Sequence, residues 1–243
     1  MSLKLADKYK KGKDLLFTLA KQNDELLWAR IWDDTKSGID WAQDIPSISP
    51  GRWAVGYNYL YVITRILEEK VPHKVLDIGL GISSSLFSCY FDYKGYLDSE
   101  HIIVEQDKEW ASFYKAKHSL SKYSRVILLD CIERSFPNGD VYNAYNGFLD
   151  TMKGKKYSLI SIDGPWGSDR HSRRDIVDLL PEILDEDWVI VMDDSERPGE
   201  KDTIQEIQEV LRRNKIDCCT GFYSGMTECC IITTSKNQFL CSL

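Results

Sequence analysis

Near the amino terminus, apolar residues recur at spacings of three, four and seven positions. The residues that follow this spacing are Leu15, Leu16, Leu19, Leu26, Leu27 and Ile31. An apolar stripe with this period predicts an amphipathic helix over residues 5–32. Turn-forming residues interrupt the pattern over 37–51, and a second helix is predicted over 53–70. We therefore predict a helical extension or cap over residues 1–70.

From residue 71 onward, short runs rich in β-branched residues alternate with helical segments. This alternation predicts a parallel sheet built from βαβ units. The predicted strands are 74–78, 101–105, 125–129, 157–163 and 188–192. The predicted helices are 83–91, 108–118, 142–152, 173–184 and 201–214.

The last part of the chain breaks this alternation. Two strand-like runs, 217–223 and 226–234, are separated only by Ser224-Gly225. A two-residue connection that contains glycine predicts a tight antiparallel hairpin. The predicted fold class is therefore α/β, with a Rossmann-like, doubly wound, mostly parallel sheet over residues 71–243. A C-terminal antiparallel hairpin and the N-terminal helical extension complete it.

Composition and charge narrow the classes of function. The 243 residues carry a formal net charge of −7, which disfavours a broad nucleic-acid surface. No apolar run approaches the roughly 18 residues of a membrane span, and no apolar signal core begins the chain. Seven cysteines without a Cys-x-x-Cys pair are typical of reduced core thiols. We expect a cytoplasmic protein with neither a nucleic-acid nor a membrane partner.

The strongest candidate for a binding site is a glycine loop after the first strand of the sheet. That strand runs into Gly79-Leu80-Gly81, and a helix is predicted to begin near Ser83. Glycine lets the chain turn sharply there and lets a ligand approach the backbone. The next strand ends in Glu105, which is placed to accept hydrogen bonds from a ribose diol, and the third is followed by Asp130, at the same rim.

Taken in order, these residues resemble the cofactor motifs of class I S-adenosylmethionine-dependent methyltransferases. The motifs are Leu76-Asp77-Ile78-Gly79-Leu80-Gly81, Val104-Glu105 and Leu129-Asp130, within a resemblance that covers about residues 72–235. The resemblance implies S-adenosylmethionine as the cofactor. It implies that Asp77, Gly79 and Gly81 hold the methionine end, with Ser83 beside them, that Glu105 holds the ribose and that Asp130 lies on the adenine side.

Three carboxylates follow the fourth and fifth strands: Asp163, and then Asp193 and Asp194. Like charges that converge need a divalent metal, a cationic substrate or partial protonation. The arrangement is similar to that of metal-dependent O-methyltransferases of the catechol type and of antibiotic sugar O-methyltransferases, although Asp194 replaces the amide of the former. The resemblance implies Mg²⁺ on these three residues. Without a metal, Asp163 is the expected general base, and His171 is a further candidate proton acceptor.

A basic cluster directly follows Asp163 in this otherwise acidic chain. It comprises Arg170, His171, Arg173 and Arg174. We predict that Trp166, Arg170 and Arg173 contact the methyl acceptor, which is a small molecule or a saccharide. Anionic acceptors such as sugar acids are among the candidates, because guanidinium groups pair well with carboxylates. Aromatic residues before the first strand either wall the acceptor pocket or belong to the core. These are Trp32, Trp41, Trp53, Tyr57, Tyr59 and Tyr61.

Two other classes of function stay open at this point. An NAD-dependent or nucleotide-sugar oxidoreductase expects a third glycine or alanine where this chain has Ser84. A non-catalytic nucleotide-binding module would keep the fold without the chemistry. The leading hypothesis is an S-adenosylmethionine-dependent O-methyltransferase. The sequence leaves the oligomeric state undetermined, and a homodimer is one of the alternatives.

Overall fold

The computed structural model describes residues 2–45 and 54–243. Helix α1 spans Ser2–Ser37 and helix α2 spans Tyr57–Lys70, with a 3₁₀ turn at Asp40–Asp44 between them. The first helix is longer at both ends than the sequence predicted. The predicted start of the second helix at Trp53 lies outside the described residues. Within the described ranges, none of the helices combines the length and apolarity needed to cross a bilayer.

The remaining elements form a seven-stranded sheet, helices on both of its faces and a separate hairpin. Their bounds are β1 Lys74–Ile78, α3 Ile82–Lys94, β2 Glu100–Glu105, α4 Lys108–Lys117, β3 Ser124–Leu128, β4 Cys131–Ser135, β5 Val141–Tyr145, α5 Phe148–Met152, β6 Tyr157–Ile162, β7 Leu184–Met192, α6 Pro198–Arg213, β8 Cys218–Ser224 and β9 Glu228–Thr234.

The strand order in the large sheet is β3-β2-β1-β6-β7-β9-β8. The first five of these strands are mutually parallel, and β9 runs antiparallel to both β7 and β8. The predicted fold class, including the C-terminal hairpin, is therefore confirmed. Strands β1 and β6 are buried almost throughout, as expected for parallel strands covered on both faces.

Two predicted helices are wrong. Residues 142–152 lie in strand β5 and the short helix α5. Val141–Tyr145 is rich in β-branched and aromatic residues, which favour strands, and it pairs antiparallel with Cys131–Ser135. The helical structure within residues 173–184 is limited to the 3₁₀ turn Val177–Leu179, and Leu184 already belongs to β7. Arg173 has a φ of +57° at the predicted start, and Pro181 offers no N–H for a helical hydrogen bond, so a continuous helix is excluded.

Helix α2, which lies within the predicted extension over residues 1–70, packs in the core of the sheet. Leu60, Ile63 and Ile66 are fully buried in the same apolar cluster as Val75 of β1 and Phe87 of α3. The aromatic residues that could have walled a pocket are mostly in this core. Trp32, Trp41, Tyr59 and Tyr61 are each at most 6% exposed.

Candidate cofactor site and carboxylate cluster

The turn after β1 can only be built with glycine at its first position. Gly79 has a φ of +108°, and a Cβ there would lie 2.9 Å from the backbone oxygen of Asp163. Its N–H donates to the carbonyl of Val104 at 2.8 Å, which ties the turn to β2. At Gly81 an added Cβ would meet nothing within 4 Å. The loop is thus packed against β6 on one side and open on the other, as a ligand cradle requires.

The backbone of this loop is held by three side chains from β2 and α4. The N–H of Leu80 donates to Glu105 Oε2 at 2.9 Å. Trp110 Nε1 donates to the carbonyl of Leu80 at 2.7 Å, and the Tyr114 hydroxyl donates to that of Gly81 at 2.8 Å. Trp110 and Tyr114 were missed from the sequence. Their four-residue spacing on the helix after Glu105 was the available signal.

Glu105 is buried and accepts hydrogen bonds through both carboxylate oxygens. Its Oε1 takes the N–H groups of Gln106 and Asp107, each at 2.7 Å. Burial raises the pKa of Glu105, and these backbone donors act in the opposite direction. Oε1 thus has both lone pairs engaged, whereas Oε2 accepts one hydrogen bond and keeps a second lone pair for a ligand hydroxyl beside the loop.

Asp77 lies beneath the loop rather than open to it. It has no exposed surface, and it accepts hydrogen bonds from Ser84 Oγ at 2.5 Å and Ser161 Oγ at 2.9 Å. Ser84 Oγ in turn accepts the N–H of Gly81 at 3.1 Å. The carboxylate therefore positions the glycine loop through Ser84. Ser83, in the first turn of α3, is only 3% exposed.

Asp130 lies at the rim in a different setting. Its side chain is 66% exposed and pairs with Lys108 Nζ at 2.8 Å. A pair this exposed contributes little to stability and is readily exchanged for a ligand contact. The predicted position of Asp130 after β3 is therefore compatible with, but not specific to, a base contact.

The three carboxylates after β6 and β7 converge as the sequence predicted. Ligand atoms of Asp163, Asp193 and Asp194 lie within 4.8 Å of one another. The guanidinium of Arg173 lies among them: its Nη2 is 3.1 Å from Asp163 Oδ1 and 2.9 Å from Asp194 Oδ2. Its Nη1 donates to the backbone oxygen of Asp193 at 3.2 Å. The cation in this cluster is thus supplied by the chain itself.

Two further charged side chains complete the cluster. Arg197 Nη2 pairs with Asp194 Oδ1 at 2.7 Å, and Glu200 Oε1 lies 3.6 Å from Arg173 Nε. Four carboxylates therefore face two guanidiniums. Burial raises the pKa of Asp163 to about 6, with Arg173 opposing the rise. Burial also raises the pKa of Asp193 well above its usual range, and the charges of Asp163 and Asp194 add to this.

As arranged, the cluster fits a guanidinium and not a divalent cation. Mg²⁺ requires oxygen ligands at about 2.0–2.1 Å in octahedral geometry. Here Nη2 of Arg173 stands within hydrogen-bonding distance of two of the three predicted ligands. Mg²⁺ on these carboxylates stays a prediction.

Backbone strain is concentrated at this rim. Three non-glycine residues, His171, Arg173 and Asp194, have φ values of 49°, 57° and 60°. The left-handed region is costly for such residues and persists only where surrounding contacts fix it, which is typical of functional sites. At Arg173 and Asp194 the fixing contacts are those of the buried ion cluster.

The structure does not bring His171 or Arg170 to the carboxylates. Both ring nitrogens of His171 contact acids on its other side, Nδ1 with Glu206 and Nε2 with Asp140 at 3.3 Å. Arg170 pairs with Asp202 at 2.6 Å. His171 was predicted to accept a proton and Arg170 to bind an anion. Both side chains are instead already engaged with acidic residues of the chain.

Trp166 is the predicted acceptor contact that the structure leaves available. Its side chain is 63% exposed on the loop that follows Asp163. Asn143 of β5 fixes this loop, because its Nδ2 donates to the carbonyl oxygen of Trp166 at 3.1 Å. The β4–β5 hairpin thereby holds one wall of the site, a role that the predicted helix there did not anticipate.

The opposite wall comes from the hairpin β8–β9 and the N-terminal helices. Thr227 Oγ1 donates to Asp193 Oδ1 at 3.3 Å. Asn58, at the start of α2, donates to the carbonyl oxygens of Tyr223 and Thr227 at 2.7 and 3.0 Å. Glu25 of α1 accepts the N–H groups of Tyr57 and Met226. Sequence patterns gave no signal for these long-range contacts.

The strand order decides the fold. This chain has a class I methyltransferase fold. The antiparallel β9 inserted between β7 and β8 distinguishes this architecture from an all-parallel dinucleotide-binding sheet. No protein-family model matches the sequence, and no curated protein matches it significantly.

Among solved structures, the chain is similar to the O-methyltransferase from Bacillus cereus in complex with SAH, with 13% identity, 84% of this chain and 91% of that chain covered, and a TM-score of 0.48. It is also similar to the O-methyltransferase TomG from Streptomyces achromogenes, in complex with SAM, with 9% identity, coverage of 79% and 82%, and a TM-score of 0.46. Spermidine synthase from Thermotoga maritima gives 19% identity, coverage of 68% and 54%, and a TM-score of 0.42. At these TM-scores the likenesses carry no argument about function.

Proposed function

We propose that this chain transfers a methyl group from S-adenosylmethionine to a hydroxyl group of a small-molecule or saccharide acceptor. The observation that carries the proposal is the open glycine loop, with Gly81 facing free space and Glu105 bound to Leu80 at the same rim as Asp163. In the class I methyltransferase fold, ligands bind at this carboxyl edge of the strands.

The residues divide into those that hold the cofactor and one that handles the proton. When bound, S-adenosylmethionine supplies a methyl group on a sulfonium sulfur, which keeps the electron pair as the methyl leaves. Gly79 forms the turn that supports the methionine end, Gly81 gives that end room, and Glu105 Oε2 accepts a hydrogen bond from the ribose. Asp163 accepts the proton of the acceptor hydroxyl as the new oxygen–carbon bond forms. A pKa near 6 leaves Asp163 ionised at neutral pH yet basic enough for this task.

The charges of the site favour an acceptor that is uncharged in the part that lies within the site. The basic side chains of the cluster after Asp163 are paired with acids of this chain, so an anionic group would find no free cation among them. Trp166 offers an exposed flat ring, which suits the apolar face of a sugar or an aromatic ring. The proposal accordingly includes neither an anionic acceptor nor assistance by Mg²⁺.

Calorimetry with S-adenosylhomocysteine and with NAD⁺ tests the proposal. We expect saturable, one-to-one heat with the former at micromolar concentration and none with the latter. The Glu105→Ala variant is expected to bind about 10- to 100-fold more weakly, because it loses charge-assisted hydrogen bonds. Glu109→Ala, an exposed site on α4, is the matched control and should bind as the wild type does. Binding of NAD⁺ alone would favour the oxidoreductase, and binding of neither nucleotide would refute the proposal.

A further inference from the structure

Helix α1 exposes an apolar face whose leucines belong to none of the apolar core clusters in the described part of the chain. Leu15, Leu16, Leu19, Leu26 and Leu27 are each between 51% and 72% exposed. They form two pairs eleven residues apart, or about three helical turns, with Leu19 between them. A contiguous leucine face of this kind on a surface helix marks an interaction site.

This face lies on the side of the helix away from the body of the protein. The carboxyl-terminal part of α1 is anchored through Trp28, whose Nε1 donates to Ser224 at 2.7 Å, and through the buried Trp32. At about 100° per residue, Leu19 points about 180° away from Trp28. A partner can therefore cover the leucines without disturbing the contacts of α1 with α2 and the β8–β9 hairpin.

We propose that this leucine face binds the same face of a second copy of the chain, with the two α1 helices antiparallel. The spacing of the leucines sets the register. An antiparallel pair centred at the level of Lys21 brings Leu15 opposite Leu27 and Leu16 opposite Leu26, and the contact is isologous, as a two-fold dimer requires. The two bodies lie on the outer sides of the helix pair.

Charge supports this register independently of the leucines. In it, residues 8–18 of one copy cross residues 24–34 of the other. The first segment carries four lysines and one aspartate, a formal charge of +3. The second carries four acids and one arginine, a formal charge of −3, or −2 without Glu25, whose carboxylate is bound to Tyr57 and Met226 of its own chain. A parallel pair would instead place like charges side by side. An anionic membrane, the other surface that a leucine and lysine face could meet, would be repelled by residues 24–34.

Sedimentation velocity on the full chain tests the proposal. The wild type is expected to sediment as a dimer of about 56 kDa, twice the 28.1 kDa of one chain, at micromolar concentration. The double variant Leu16→Glu, Leu26→Glu is expected to sediment as a monomer, because four carboxylates would meet in the contact. These side chains are exposed, so its thermal unfolding should match that of the wild type apart from the dimer's contribution. Leu97→Glu, at a fully exposed site after α3, is the control and should stay dimeric.

Cross-linking tests the orientation. Gly12→Cys and Arg30→Cys chains, mixed and oxidised, are expected to yield the 12–30 disulfide in peptide mass spectrometry, because these positions lie opposite each other in the antiparallel pair. A 12–12 disulfide requires a parallel pair, since the antiparallel register separates those positions by about 27 Å. A monomeric wild type, a dimer that survives the double glutamate variant, a 12–12 cross-link, or a monomer that binds phosphatidylserine vesicles through this face would each overturn the proposal.

Discussion

Replacing Asp163 with asparagine is expected to lower methyl transfer by about 100-fold or more while leaving the affinity for S-adenosylhomocysteine unchanged. The size is that of a lost general base. The separation of effects is expected because the Asp163 carboxylate pairs with Arg173, whereas the carboxylate bonded to the glycine loop is that of Glu105. The measurement is radiolabelled methyl transfer to whichever hydroxyl compound of a phenol, catechol and saccharide panel the wild type methylates best.

The pH dependence of this reaction gives a second readout. The base must be ionised to act, and burial raises the pKa of Asp163 to about 6. The kcat/KM of the wild type is therefore expected to be level above this pH and to fall about tenfold per unit below it. In Asp163→Asn this acid limb should disappear, whereas Asp92→Asn, at an exposed site on α3, should keep it. An acid limb that survives in Asp163→Asn would assign the proton to another group.

Replacing Arg173 with methionine is expected to destabilise the protein by about 3–5 kcal/mol. Removing one partner of a buried ion cluster leaves the others uncompensated. Arg173 is 6% exposed and its guanidinium contacts Asp163 and Asp194, while methionine fills a similar volume without the charge. Urea unfolding at pH 8 measures the loss. Arg197→Met is the control: Arg197 pairs with the same Asp194 but is half exposed, so its removal should cost less than about 1 kcal/mol.

The same variant is expected to gain affinity for divalent metal. Without the Arg173 guanidinium, the three carboxylates converge with only the half-exposed Arg197 on Asp194 as a cation, and such oxygen donors suit Mn²⁺ or Mg²⁺. Mn²⁺ should therefore bind Arg173→Met and restore part of its stability by mass action. Tight one-to-one binding of Mn²⁺ to the wild type at this cluster, or a variant as stable as the wild type, would contradict the assigned role of Arg173.

The sequence predicted the architecture well because strand ends carry strong local signals. The apolar runs that end at Gly79, Glu105, Asp163 and Asp193 place all four residues at one rim, since parallel strands share their carboxyl edge. The sequence also predicted helix α1 from its apolar periodicity, and it predicted the C-terminal hairpin from the two-residue connection Ser224-Gly225.

What the sequence did not reveal depends on contacts between distant segments. The basic residues after Asp163 suggested anion binding, because their acidic partners, such as Asp202 and Glu206, lie on a helix about thirty residues away. Arg173 was predicted to reach the acceptor, yet its left-handed backbone turns it into the carboxylate cluster. Local propensity also favoured a helix at 142–152, where tertiary pairing with β4 produces a strand.

A crystal structure of the chain with S-adenosylhomocysteine would show directly whether the glycine loop holds the cofactor. We expect the homocysteine end to lie against the Gly79–Gly81 turn, with a ribose hydroxyl within hydrogen-bonding distance of Glu105 and the sulfur directed toward Asp163. Density for the nucleoside at any other edge of the sheet, or protein side chains filling the space over Gly81, would contradict it.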